Sequence, residues 1–297
     1  MNYREIFADK NVKFDFLIKE YTNFKVGGVC DVVAFPKSPE EVIDLLKVAK
    51  ENNIPTTVLG NLTNLIVRDG GIEGLVILLR ENYAGIKVEG DEVTALAGAT
   101  LQKTANIARD NCLAGMEFAH GIPGSVGGGI TMNAGAYDGE LKDIVKSVTA
   151  ITQDFEIREF SNEEMKFRYR NSLVQDENLV VLSATFKLKY GNKEEINDKM
   201  CDLMARRKAK QPLEYPSAGS TFKRPEGYFA GKLIQDAGLK GLTHGGAQIS
   251  KKHSGFVINI GGATAKDIVE LIETVQKIIH DKFGVEIERE VKIIGRE

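Results

Sequence analysis

Between Ser38 and Asn53 the apolar residues Val42, Leu45, Leu46 and Ala49 recur three and four positions apart, the period of one buried helix face. Ser38 reads as an N-cap, Pro39 as a first-turn proline, and Glu40-Glu41 as the acidic arm of a capping box, so this stretch predicts an amphipathic helix. Short β-rich runs flank it: Asp31 to Phe35 before, then Thr56 to Leu59 and Gly74 to Leu79 after. Strand, helix and strand joined so closely predict a small α/β unit over about the first 80 residues.

Further on, the pattern predicts a strand near Val93 to Ala97 and a helix from Thr100 to Asn111. Two strands follow around Asp154, within Ile144 to Phe160, and a long strand runs from Leu179 to Tyr190. Ser161-Asn162-Glu163-Glu164 reads as the cap of a short helix. A polar helix ends near Lys210, ahead of Pro212, and another spans Tyr228 to Ala237 with Gly238 as its stop. After a strand at Phe256 to Ile260, Thr264 caps a long helix from Ala265 to Phe283, closed by Gly284. On it Ile268, Leu271, Ile272, Val275, Ile278 and Ile279 form a stripe that reads as core. Val285 to Ile294 reads as a final strand. No fixed-period repeat is present, which excludes a solenoid.

Composition narrows the function. The 297 residues carry 39 basic against 42 acidic side chains, a net charge of −3, which argues against a nucleic-acid binder. No apolar run approaches the roughly 18 residues of a membrane span, and the acidic, weakly apolar first ten residues are unlike a signal or transit peptide. Cys30, Cys112 and Cys201 are odd in number and far apart, as free thiols in a cytoplasmic protein would be. His120, His244, His253 and His280 lack metal-ligand spacing, so no metal site is expected.

Glycine is the skewed residue, with 30 against seven prolines. Neither GxGxxG nor a P-loop occurs. Instead six glycines fall between Gly121 and Tyr137, and such a run is either an anion-binding concavity of bare backbone N–H groups or a tight structural loop. Two further Gly/Asn/Thr-rich loops, Tyr21 to Gly28 and Gly60 to Val67, lie at the ends of predicted strands, where α/β architectures gather ligands.

Read in order, TNFKVGG, GN-x-TNLIVRDGG, GIPGSVGG with MNAGAY, FRYRNS, SAGSTFKRP, KHSGFVIN and EREVKIIG resemble the UDP-N-acetylenolpyruvoylglucosamine reductase family. The resemblance runs from about Thr22 to Gly295, and the length is similar to the shorter type II branch. It implies an α+β chain with a vanillyl-alcohol-oxidase-like (PCMH-type) FAD-binding fold of two sub-domains and a C-terminal α+β substrate domain. The boundaries expected are 1–85, joined by 285–297, then 86–191 and 192–284, with Gly191-Asn192-Lys193 as the linker.

The resemblance also implies function: a cytoplasmic reductase of peptidoglycan precursor synthesis, with non-covalent FAD, NADPH as co-substrate and an enolpyruvyl sugar nucleotide as substrate. By similarity the FAD-contacting residues are Thr22, Asn23, Lys25, Gly27, Gly28, Gly60, Asn61, Thr63, Asn64, Gly121, Pro123, Gly124, Ser125, Gly127, Gly128, Asn133 and Gly135. Arg170 matches the arginine that holds the substrate carboxylate, Ser220 the proton donor to carbon, and Glu290 the assisting glutamate. Lys223 and Lys232 are candidates for the substrate phosphates. Leu62 departs from the Gly or Ala usual in that loop, so it either crowds the flavin pyrophosphate or points away and fixes the turn. The competing readings are a flavin oxidase of the same fold and a flavin- or sugar-nucleotide-binding protein without turnover.

Overall fold

The computed structural model describes residues 2–297. The strongest local signals become the elements they predict. The Ser38 hydroxyl accepts the Glu41 N–H at 3.3 Å and opens the helix Pro39–Glu51, which buries Val42, Leu45 and Ala49. Thr264 and Asp267 form a reciprocal capping box at the start of Ala265–Phe283. That helix ends at Gly284, whose φ of +67° is a left-handed value a side chain would strain.

Chain contacts divide the molecule into two compact units. The first comprises Met1–Lys13, Val33–Asn61 and Gly74–Arg207, the second Phe14–Val32, Leu62–Glu73 and Lys208–Glu297. In the first unit Thr56–Leu59 lies parallel to Leu75–Leu78. Its main sheet is antiparallel, in the order Ile157–Ser161, Val145–Ile151, Val180–Lys187, Glu92–Leu96, Ile86–Glu89. Val148, Ala150, Leu182, Ala184, Phe186, Val93 and Ala95 are buried there, and the short helix Val126–Thr131 packs against Val180–Lys187.

In the second unit the helix Ala265–Phe283 lies on the antiparallel sheet Thr243–His244, Ala247–Ile249, Val257–Asn259. Its stripe Ile268, Leu271, Ile272, Val275 and Ile279 meets Phe24, Ile66, Phe222 and Val257 in one core, with Ile278 partly buried at its margin. Lys292–Ile294 pairs in parallel with Leu65–Val67, which brings the end of the chain to the loop after Gly60.

Three expectations are corrected. Ser161 to Glu164 makes the hydrogen bonds of a capping box, with Glu164 N–H to Ser161 Oγ at 3.3 Å and Ser161 N–H to Glu164 Oε2 at 2.8 Å. No helix follows, because Lys166 turns left-handed at φ +45° and the chain leaves as a turn. The strand expected from Leu179 to Tyr190 breaks at Leu188, whose N–H is drawn to Asp91 O at 2.9 Å. From Val285 to Ile294 only Lys292–Ile294 is a strand, since the preceding residues bond instead to the Thr221–Lys223 segment. Among the described residues no helix is long and apolar enough to cross a membrane.

Candidate active site

The glycine-rich segment of the first unit serves two purposes. Ser125 Oγ caps the helix Val126–Thr131 by accepting the Gly128 N–H at 3.3 Å, and the Gly127 N–H donates to Ala97 O at 2.8 Å. A methyl group on Gly129 would strike Leu141 at 2.9 Å, so this glycine is set by packing. Gly121, Gly124 and Ser125, by contrast, donate their N–H groups to no acceptor among the described residues, and neither do Gly60 and Asn61. These two loops touch: Asn61 Nδ2 donates to Pro123 O at 3.3 Å, and a methyl on Gly60 would fall 2.2 Å from Ser125 Oγ. Unclaimed backbone donors in touching loops suit a ligand that presents anionic oxygens. The residues present therefore fit a dinucleotide pyrophosphate.

The same segment leads to Arg170. Asn133, fully buried at φ +42°, donates its side-chain amide to Glu140 Oε2 at 3.0 Å and to Arg168 O at 3.2 Å, while its Oδ1 accepts the Lys142 N–H at 3.0 Å. Gly135 pairs with Glu140, and the Gly139 carbonyl would lie 2.7 Å from a methyl added to it. Arg168 and Asn171 exchange N–H···O bonds at 3.0 and 3.2 Å, which leaves Tyr169 and Arg170 at the tip of a two-residue turn. Arg170 sits there at φ +54°, a conformation costing a non-glycine residue about 1–2 kcal/mol. Its surroundings hold it: Gln175 Nε2 donates to Arg170 O at 3.2 Å and to Thr131 O at 2.9 Å, and Arg168 binds both oxygens of Asp176 at 2.8 Å. Desolvation pushes the Glu140 carboxyl up, but Lys142, Asn133 and the charge of Arg170 outweigh it and hold the group below its ordinary value. Glu140 thus stays an anion within the field of Arg170.

In the second unit Ser220 and Glu290 come together. The Glu290 N–H donates to Thr221 O at 2.9 Å, and Phe222 and Arg289 form a bridge. Asn64 Nδ2 donates to Glu290 O at 3.3 Å, so the loop after Gly60 holds the same extended segment from its other side. Thr221 is buried and its hydroxyl accepts the Val257 N–H at 3.0 Å, which fixes the backbone under Ser220. The Ser220 hydroxyl is exposed and has no hydrogen-bond partner among the described residues. Glu286 and Glu288, the alternating neighbours of Glu290, are turned outward to His280 at 2.9 Å and Lys223 at 2.7 Å.

The remaining candidates of this unit are engaged within the chain. The buried Thr22 hydroxyl donates to Val26 O at 2.7 Å, Asn23 Nδ2 donates to Ser217 O, and Lys25 Nζ donates to Glu20 O at 2.7 Å. A methyl on Gly28 would lie 2.0 Å from Asp69 O, and one on Gly27 would lie 2.9 Å from Ile18. Thr63 is half-buried beside Asn64. Lys232 is exposed and paired with Asp236 one turn along its helix.

Leu62 is 3% exposed at φ +50°, so its side chain is enclosed by protein and does not line an open cradle. Leu62→Gly is therefore expected to leave the FAD dissociation constant unchanged. The glycine would relieve about 1–2 kcal/mol of left-handed strain but forgo roughly 2–5 kcal/mol of core packing, for a net loss of up to about 4 kcal/mol. Thermal melts and fluorescence titrations measure the two effects separately, and tighter FAD binding would mean that Leu62 crowds the ligand.

Sequence reasoning missed Gln175 and Arg207. Arg206-Arg207 on a polar helix reads as solvated charge, and no spacing rule separates the two.

Residues 30–161 match a family of FAD-binding domains, and residues 211–294 match the C-terminal domain of UDP-N-acetylenolpyruvoylglucosamine reductase. The chain is similar to the UDP-N-acetylenolpyruvoylglucosamine reductase of Lactobacillus acidophilus, at 54% identity over 97% of this chain and 96% of that one. It is similar to that of Clostridium novyi at 52% identity, over 98% and 95%. It also superposes on the crystal structure of UDP-N-acetylenolpyruvylglucosamine reductase (MurB) from Thermus caldophilus with a TM-score of 0.81 at 35% identity, covering 94% of this chain and 97% of that one.

Proposed function

The chain belongs to the UDP-N-acetylenolpyruvoylglucosamine reductase family, and from that premise we propose that Arg170, Ser220 and Glu290 carry its chemistry. The activity is the FAD-dependent reduction of enolpyruvyl-UDP-N-acetylglucosamine to UDP-N-acetylmuramate at the expense of NADPH. Held at the Gly60–Asn61 and Gly121–Ser125 loops, FAD would supply hydride chemistry between NADPH and the terminal carbon of the enolpyruvyl double bond. The chain must then hold the carboxylate, absorb the negative charge that spreads over it, and place a proton on the adjacent carbon. Arg170, planar and always charged, suits the first two tasks. The Ser220 hydroxyl suits the third, because the enolate carbon is basic enough to take a hydroxyl proton from a donor held against it. Glu290 assists Ser220 from the neighbouring segment. The observation that carries this reading is the pairing of Glu290 N–H with Thr221 O, which sets two distant motifs one residue apart.

The glycine-rich segment and the loop at Gly60 are the proposed pyrophosphate cradle. Lys223 and Lys232 remain the proposed contacts for the substrate phosphates, each released from its carboxylate partner on binding. We retain 1–85 with 285–297, 86–191 and 192–284 as the proposed cofactor and substrate divisions, and a cytoplasmic location without nucleic-acid partners. The test is turnover: the FAD-loaded protein should oxidise NADPH only when the enolpyruvyl sugar nucleotide is present. Oxygen consumption with an alcohol donor would point instead to an oxidase.

FAD is expected to be bound non-covalently. Cys30 and His120 are the cysteine and histidine at the loop edges; burial pushes the Cys30 thiol up to about 11 and holds the His120 ring below its ordinary range. A thiol so hard to ionise is a poor nucleophile, and His120 keeps its Nδ1 atom buried. Acid precipitation should release all yellow colour into the supernatant, and colour kept in the pellet would contradict this.

A further inference from the structure

Arg207 lies in the last turn of the helix Lys193–Lys210. Its neighbour Arg206 behaves as a surface helix charge should, pairing with Asp202 four residues back at 2.7 Å. Arg207 is half-buried, and its side chain makes no hydrogen bond or ion pair with any described residue. Its side chain lies along Gly121: a methyl there would come 3.2 Å from Arg207 Cδ and 3.6 Å from a terminal guanidinium nitrogen. Burial pushes the guanidinium pKa down, and Tyr137 is the group that acts in the other direction. A cation taken from water without a counter-charge lowers stability, and native chains rarely keep one unless its partner comes with a ligand.

What the guanidinium lies against is the loop with unclaimed donors. Gly121, Gly124 and Ser125 offer N–H groups with no acceptor among the described residues, and the adjacent His120 leaves Nδ1 buried without a partner. Bare amides alone bind an anion weakly, and a planar, multiply donating cation beside them supplies the missing charge. We propose that Arg207 is the cationic anchor for a ligand diphosphate at the Gly121–Ser125 loop. This rests on the reading of that loop as the pyrophosphate cradle and adds the residue that neutralises it. FAD, the sugar nucleotide and NADPH all carry a diphosphate, and the experiment separates them.

The full-length wild type, Arg207→Met and Arg207→Lys are compared. On apoprotein, FAD and riboflavin dissociation constants come from flavin fluorescence, riboflavin being the probe without a diphosphate. On FAD-loaded protein, UDP and NADP⁺ affinities come from calorimetry. If the anchor serves FAD, Arg207→Met weakens FAD about 10–100-fold, leaves riboflavin unchanged, and Arg207→Lys recovers part of the loss. If it serves the sugar nucleotide or NADPH, the same factor falls on UDP or NADP⁺ and FAD is unaffected. The apoprotein melting temperature of Arg207→Met should equal or exceed wild type, because an unpaired, half-buried charge has been removed. Unchanged affinity for all three diphosphates overturns the proposal. So does equal weakening of riboflavin and FAD, which would mean that Arg207 only shapes the loop. If wild-type apoprotein binds riboflavin as tightly as FAD, the cradle reading itself fails, and Arg207 loses its role with it.

Discussion

Ser220→Ala is expected to leave the reduction of bound flavin by NADPH nearly unchanged while slowing reoxidation by the enolpyruvyl sugar nucleotide about 10²–10⁴-fold. NADPH has only to bring its hydride to the flavin, a step that needs no proton from the protein. The sugar nucleotide needs both a hydride at one carbon and a proton at the next. A loss of that size is roughly 3–5 kcal/mol of transition-state stabilisation. Ser220→Cys should lose less, because a thiol still donates a proton. The backbone under Ser220 belongs to Thr221, whose N–H, hydroxyl and carbonyl are bonded to Gly255, Val257 and Glu290, so removing one exposed hydroxyl leaves the segment in place. Stopped-flow absorbance of the flavin band reads each half-reaction separately. Equal slowing of both would mean that Ser220 shapes the site and protonates nothing.

Arg170→Ala should slow reoxidation by about 10²–10³, the usual effect of removing a donor aimed at developing negative charge. Arg170→Lys should keep only part of the rate, since an ammonium cannot bind a carboxylate through two parallel bonds. Gln175 makes the prediction sharper. It clamps the carbonyl of a left-handed Arg170 to the end of the glycine-rich helix, so Gln175→Met should slow the same half-reaction by about an order of magnitude through misorientation. In an Arg170→Ala background Gln175→Met should then cost nothing further, because effects that act through one group do not add. An undiminished effect in that background would show that Gln175 supports something other than Arg170.

Several site residues were legible as motifs, but the use each makes of its groups was not. Gly121, Gly124, Gly127 and Gly128 look alike in the sequence. In the fold the first two donate their N–H groups to no acceptor among the described residues, while Gly127 donates to Ala97 and Gly128 to Ser125. Thr22 and Asn133 are named by the same resemblance, yet each turns its side chain into its own chain and holds a loop. Glu286, Glu288 and Glu290 alternate identically until Lys223 and His280 take the first two.

By itself the sequence determined the helices Pro39–Glu51 and Ala265–Phe283 almost to their ends, because period, cap and stop act within a few residues of one another. It also carried the family, since the order of the motifs survives any rearrangement in space. Tertiary structure alone decided that Lys292–Ile294 pairs with Leu65–Val67, that Glu290 lies beside Thr221, and that Arg207, unlike Arg206, rests on Gly121. A three-residue strand is too short to show a period. Which of two adjacent arginines loses its water depends on a segment distant in the chain that packs against it, and that information is not local.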